Sequence, residues 1–157
     1  MPTGWLRALR AYLAMTLGAN LAWEAAQLPL YTLWTTGTTA EKVFAVLHCT
    51  GGDLLIATSV LVLALLLVGD PAWPTMGHRQ VAVLTLVFGL AYTAFSEWLN
   101  TVVRSAWAYS ELMPVIRISR LEIGVSPLLQ WVLLPSFALW WAGRTARQPA
   151  PDGGDSA

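Results

Sequence analysis

An all-α integral membrane fold, an antiparallel four-helix transmembrane bundle with an ordered cap between its third and fourth helices, is predicted by three observations. Of the 157 residues, 56% are hydrophobic and only 11% are charged, against roughly 25% charged in an average soluble domain. Mean hydropathy is +0.56, and four apolar runs each approach the ~20 residues needed to cross ~30 Å of hydrocarbon. Gly-, Pro- and polar-rich connections separate the runs, and two of them are short, so consecutive helices should reverse direction. The length allows one transmembrane domain over residues 1–147. The tail at 148–157 contains Pro149, Pro151 and Gly153-Gly154 with nothing apolar to bury, and is expected to be disordered.

The first span is placed at residues 11–31. Arg7 and Arg10 precede it as in a secretory signal, but the apolar stretch continues past Trp23 to Leu28 with no small-residue cleavage site, so it is read as a retained helix. A polar connection at 35–42 leads to the second span at 43–68, and a turn-rich link from Gly69-Asp70-Pro71 to Gly77 leads to the third at 81–103. The link at 104–125 is long, carries Glu111, Arg117, Arg120 and Glu122, and alternates apolar with polar residues from Ile116 to Ile123, which predicts an ordered cap on the membrane surface. The fourth span, 126–142, is short and is anchored by Trp140 and Trp141; Trp5, Trp34 and Trp73 fit the same interfacial role. Arg7, Arg10, Arg79, Arg144 and Arg147 fall on one side against Lys42, Arg104, Arg117 and Arg120 on the other, which places both termini in the cytoplasm.

Nine basic residues balance nine acidic ones and are scattered along the chain, so nothing steers nucleic acid to this protein. A lone Cys49 excludes an internal disulfide framework.

The spans carry three carboxylates and no Lys or Arg among them, although a charge at mid-membrane costs about 2.5–3.5 kcal/mol even on insertion scales. Asn20, Glu24, Gln27 and Tyr31 recur at i, i+4, i+7 and i+11, a single stripe on a helix. Thr93, Glu97, Asn100 and Arg104 repeat the spacing in the third span, with Tyr92 and Ser96 one position over. The second span adds His48, Cys49 and Asp53 around Gly51-Gly52, a pair expected to permit close helix approach, and the fourth adds Ser126 and Gln130. With alternating directions these groups lie near one membrane face, predicting a polar chamber roofed by residues 105–124 over an otherwise apolar bundle. Its ligand-binding candidates are Asn20, Glu24, Gln27, His48, Asp53, Tyr92, Glu97, Asn100, Trp107, Tyr109 and Gln130.

Amides and hydroxyls in such positions commonly serve as interhelical hydrogen-bonding groups, and Arg104 could reach Glu97 by snorkelling. Three acids near one His read better as a site. His48, Cys49 and Asp53, with Glu24 and Glu97, form a mixed set of candidate metal ligands, but no Glu-x-x-His pair supports a di-iron centre. Catalytic candidates are Glu24, Glu97 and Asp53 as acid or base, with Trp23, Trp98, Trp107, Trp131 and Tyr109 as an aromatic wall. Cys49 by itself reads as a small buried residue and His78 as a solvated one. The residues specify no cofactor.

The strings Trp23-Glu24-x-x-Gln27-x-Pro29-Leu30-Tyr31, His48-Cys49-x-Gly51-Gly52-Asp53-Leu54-x-Ile56-Ala57, Tyr92-Thr93-x-x-Ser96-Glu97-Trp98-Leu99-Asn100, Trp107-x-Tyr109-x-x-x-Met113-Pro114 and Ser126-Pro127-Leu128-Leu129-Gln130-Trp131 resemble those of small uncharacterised four-span bacterial inner-membrane proteins. The resemblance covers nearly all of the chain before Arg144 and implies a bacterial inner membrane, without implying catalytic roles. The Trp-rich translocator-type sensory proteins share composition only, since their Trp-Asn pair is missing and the three acids are foreign to them. Three functions therefore stand: binding of a small molecule, proton or cation by a transporter accessory or sensor; enzymatic work on a lipid or isoprenoid; or a structural or assembly subunit of a membrane complex. A thin bundle of this size also suits a homo-oligomer or a membrane partner protein.

Overall fold

The computed structural model describes residues 3–118 and 121–147, so the expected tail at 148–157 and Arg120 lie outside the described residues. The chain is mostly helical. In order it forms α1 (Thr3–Gln27), a 3-10 turn (Leu28–Leu30), the short α2 (Leu33–Thr36), α3 (Thr39–Val68), α4 (His78–Trp98) continued by a π turn (Leu99–Val103), strands β1 (Val115–Ile118) and β2 (Leu121–Gly124), and α5 (Val125–Arg147).

Three stretches among the described residues are long and apolar enough to cross a membrane: Thr39–Val68, His78–Val103 and Val125–Arg147. They contain the expected spans at 43–68, 81–103 and 126–142. The expected first span requires correction. Its helix runs from Thr3 to Gln27 instead of 11–31, because Pro29 lacks an amide hydrogen and the chain tightens into the 3-10 turn around it. α1 also lies outside the three apolar stretches, since Asn20, Glu24 and Gln27 lower its average hydropathy; all three are buried against protein.

Local chemistry sets the other boundaries. Thr38 and Glu41 form a reciprocal capping box at the start of α3, with Thr38 N donating to Glu41 Oε2 at 2.8 Å. Beyond α3, Asp70 Oδ1 accepts from Ala72 N at 2.7 Å, and Gly77, at φ +67, supplies the left-handed residue that starts α4.

α1 packs against α5 and α3, and α4 packs against α3 and α5. Away from the acids, Ala8, Tyr12, Ala57, Leu61, Ala64, Val81, Ala138, Leu139 and Ala142 form a core whose small residues bring backbones close. Trp73 belongs to that core at 2% exposure, correcting its expected interfacial position. Trp5, Trp34, Trp140 and Trp141 are exposed. His78, expected to be solvated, is half-buried against Gly143, with Nδ1 buried and lacking a hydrogen-bond partner.

The link at 105–124 is ordered but not purely helical or irregular. β1 and β2 pair antiparallel with Arg117 opposite Glu122, so the all-α expectation is corrected by a two-stranded hairpin. Its cause is the same period-two alternation, with branched Val115, Ile116, Ile118 and Ile123 at its positions. The Arg117–Glu122 ion pair, 2.7 Å long, is exposed and contributes little.

The close helix approach expected at Gly51-Gly52 occurs elsewhere. A Cβ at either position would meet nothing within 4 Å, whereas one at Gly89 would overlap the ring of Trp131. Replacing Gly89 by Ala in α4 should therefore cost about 1–3 kcal/mol through overpacking, and Gly51→Ala should leave stability within about 0.5 kcal/mol, both measured by SDS unfolding in mixed micelles. Equal stability of the two variants would contradict the packing.

Candidate functional site

Gln130 on α5 lies at the junction of three helices. Its Nε2 group is within hydrogen-bond distance of Asn20 Oδ1 (2.8 Å) and Glu24 Oε1 (2.9 Å) on α1, and of Asp53 Oδ2 (2.9 Å) on α3. An amide nitrogen has two hydrogens for these three acceptors, so Gln130 cannot serve all of them at once. Gln27 Nε2 donates to the same Glu24 oxygen at 2.8 Å. Gln27 Oε1 accepts from Ser126 Oγ at 2.7 Å and from Trp23 Nε1 at 3.2 Å. Asn20 turns its own amide back to Thr16 O at 2.7 Å. Spacing of i, i+4 and i+7 on α1 puts all three of its polar residues toward α5, and i, i+4 on α5 presents Ser126 and Gln130 to them.

Glu97, on α4, belongs to a second group. Its carboxylate accepts a hydrogen bond from the Tyr109 hydroxyl, and that hydroxyl accepts one from Gly124 N at 2.9 Å. The anticipated pairing of Glu97 with Arg104 is corrected: Arg104 is exposed, and no ion pair joins it to Glu97 among the described residues. The π turn after Trp98 offsets the helical register, and Arg104 N bonds to Leu99 O at 2.8 Å as the turn closes. Asn100 is half-buried and donates to Ser96 O at 2.9 Å.

Between the two groups lies a cavity of about 690 Å³, within the usual range of small-molecule sites. Glu24, Asp53 and Glu97 all line it, together with Gln27, His48, Tyr92, Asn100, Trp107 and Gln130. Asn20 and Tyr109 do not line its wall; each holds a residue that does. Cys49 also lines it and is half-buried, as are Tyr31 and Ile56.

His48 is exposed and stacks on Phe44 with ring centroids 5.3 Å apart. Among the described residues no group of three or more His, Cys, Asp or Glu side chains is placed to hold a metal ion, so His48, Cys49 and Asp53 are not a ligand set. The expected aromatic wall is also revised: Trp107 and Trp131 line the cavity, Trp98 is 39% exposed on the outside, and Trp23 is spent on Gln27 and Ser126.

The roof is fastened where Pro29 stops α1. The interrupted helix leaves carbonyls unpaired, and Ser110 satisfies two of them, through N to Leu30 O (2.9 Å) and through Oγ to Pro29 O (3.0 Å). Thr32 N donates to Ala108 O at 3.0 Å, and the Tyr31 and Tyr109 rings lie 5.8 Å apart. Tyr31 was expected on the helical stripe; it lies past the helix end and ties the roof instead. Thr93, Ser126 and Gly89 are functional neighbours that the candidate set omitted; Thr93 and Ser126 stand at recognisable stripe positions, whereas nothing along the chain pairs Gly89 with Trp131.

No family model, curated protein or solved structure matches the chain.

Burial and the neighbouring Glu97 raise the Tyr109 hydroxyl above its ordinary pKa. The folded chain thus holds this proton more tightly than the unfolded chain, so the stabilisation is complete below the ordinary tyrosine range of about 10 and declines as pH rises above it. Tyr109→Phe should cost about 1–3 kcal/mol, speed hydrogen exchange across residues 105–124, and flatten that alkaline decline. Unchanged exchange in the variant would show that Tyr109 does not secure the roof.

Proposed function

We propose that this chain is a multi-pass protein of a bacterial inner membrane, an antiparallel bundle of four transmembrane helices with both termini in the cytoplasm. In this reading its carboxylate-lined cavity binds a small molecule, proton or cation, in the manner of an accessory transporter subunit or sensor. α1 serves as the fourth span because its polar residues are buried against α5 and α3 rather than facing lipid. Contacts of Gly4 with Ala146 and of His78 with Gly143 support the alternation of directions, since the starts of α1 and α4 both meet the end of α5.

The observation that carries the reading is an imbalance of charge. Glu24, Asp53 and Glu97 line one cavity in which, among the described residues, the exposed Arg104 is the only Lys or Arg. Carboxylates removed from water need matching charge or hydrogen-bond donors. Gln130, Gln27 and Tyr109 supply donors, but only partial positive charge. A proton or a bound cation completes the balance.

A second reading, an enzyme acting on a lipid or isoprenoid, is favoured by the hydrogen bond from Tyr109 to Glu97, which would hold that carboxyl in one orientation for acid or base work. Glu24 is the other candidate for that role.

Detergent-purified protein titrated with tetramethylammonium, Na⁺ and Ca²⁺ tests the first reading through its thermal unfolding. A saturable rise in Tm with at least one of them is expected, and it should disappear in the folded Glu24→Gln/Glu97→Gln variant. No rise with any cation, or the same rise in the double variant, would count against cation binding at these acids.

A further inference from the structure

Building on the cation-binding reading, we infer that the ligand is a lipophilic cation, an amphiphile with an ammonium headgroup, and that it enters the cavity sideways from the bilayer between α3 and α4.

α3 and α4 pack against each other, with Ala57, Leu61 and Ala64 of α3 and Val81 and Thr85 of α4 buried at the end away from the acids. Toward the acids, Gly52 lines the cavity, yet a Cβ there would meet nothing within 4 Å. The lining residues flanking this gap, Phe44 and His48 on α3 and Tyr92 on α4, are exposed, and all three lie within the apolar stretches. In the membrane-spanning reading, an opening bounded by these exposed aromatic rings faces acyl chains. The aromatic faces also suit passage of an ammonium group.

Inside, the lining pairs Ile56, Leu28 and Trp131 with Glu24, Asp53 and Glu97. This division suits a molecule with an apolar body and a positive end. A second feature marks the polar end as incomplete. Thr93, 5% exposed, lines the cavity, and its buried Oγ1 has no hydrogen-bond partner among the described residues. A helical Thr ordinarily returns its hydroxyl to the carbonyl four residues back, and a buried polar group left unpaired is costly. A cationic headgroup beside Glu97, one helical turn along from Thr93, would give that oxygen an ion–dipole contact.

The test uses full-length protein in phosphatidylcholine nanodiscs and a fluorescent dodecyltrimethylammonium probe. Unlabelled dodecyltrimethylammonium, tetramethylammonium and uncharged dodecyl maltoside serve as competitors. Dodecyltrimethylammonium should displace the probe at a concentration at least about tenfold below that needed for either of the others. Gly52→Phe should weaken probe binding by about tenfold or more, whereas Gly51→Phe, equally free of neighbours but outside the lining, should change it by less than about twofold. Displacement by tetramethylammonium at the same concentration, with Gly52→Phe behaving like Gly51→Phe, would overturn lateral entry while leaving cation binding intact. Equal displacement by dodecyl maltoside would overturn the requirement for charge. Failure of the probe to bind while Na⁺ or Ca²⁺ still raises Tm would overturn this inference alone, and no response to the probe or to any of the three cations would overturn it together with the reading beneath it.

Discussion

The arrangement of this protein depends on one shared donor. The Gln130 amide, buried at 3% exposure, reaches α1 at Asn20 and Glu24 and α3 at Asp53. Buried away from water, these groups have few competing partners, so a side chain able to reach two other helices limits how far each can slide along its axis. A shift of one residue, about 1.5 Å along the axis and 100° around it, would break all three contacts together. The depth at which the acids meet, and hence the cavity they line, follows from that constraint.

Pro29 imposes the second constraint. By ending α1 it frees the carbonyls that bind Ser110 and turns Tyr31 toward Tyr109. Tyr109 in turn joins Glu97 to Gly124 of the hairpin. The roof is thereby attached both to the broken end of α1 and to an acid of the cavity wall. Closure over the cavity and the state of that wall are thus coupled through the Tyr109 hydroxyl.

Much of this was legible along the chain. Apolar length located three stretches, and the i, i+4, i+7 spacing of Asn20, Glu24 and Gln27 correctly indicated a buried face, because helical periodicity and the cost of polar groups in lipid act locally. Gln130 could be singled out as a polar residue in the fourth span, but its three partners could not, since they depend on how helices are juxtaposed. α1 ends at Gln27, short of the expected 31, because Pro29 stops the helix inside an apolar run that hydropathy alone would continue. Gly51-Gly52 and Gly89 show the same limit. A glycine permits close approach, and only the opposing Trp131 ring decides which glycine uses it. His48 was grouped with Cys49 and Asp53 by proximity in sequence, although its 100° offset from Cys49 turns it outward onto Phe44.

The cavity gathers acids of α1, α3 and α4, and it depends on the helices meeting at Gln130. A double-mutant cycle between Gln130→Leu and Asp53→Asn, with unfolding free energies measured in mixed micelles, tests that meeting most directly. The account predicts marked non-additivity, with a coupling of about 1 kcal/mol or more between the two positions. Additive effects would mean that α5 and α3 do not share this contact, and the cavity built around it would lose its basis.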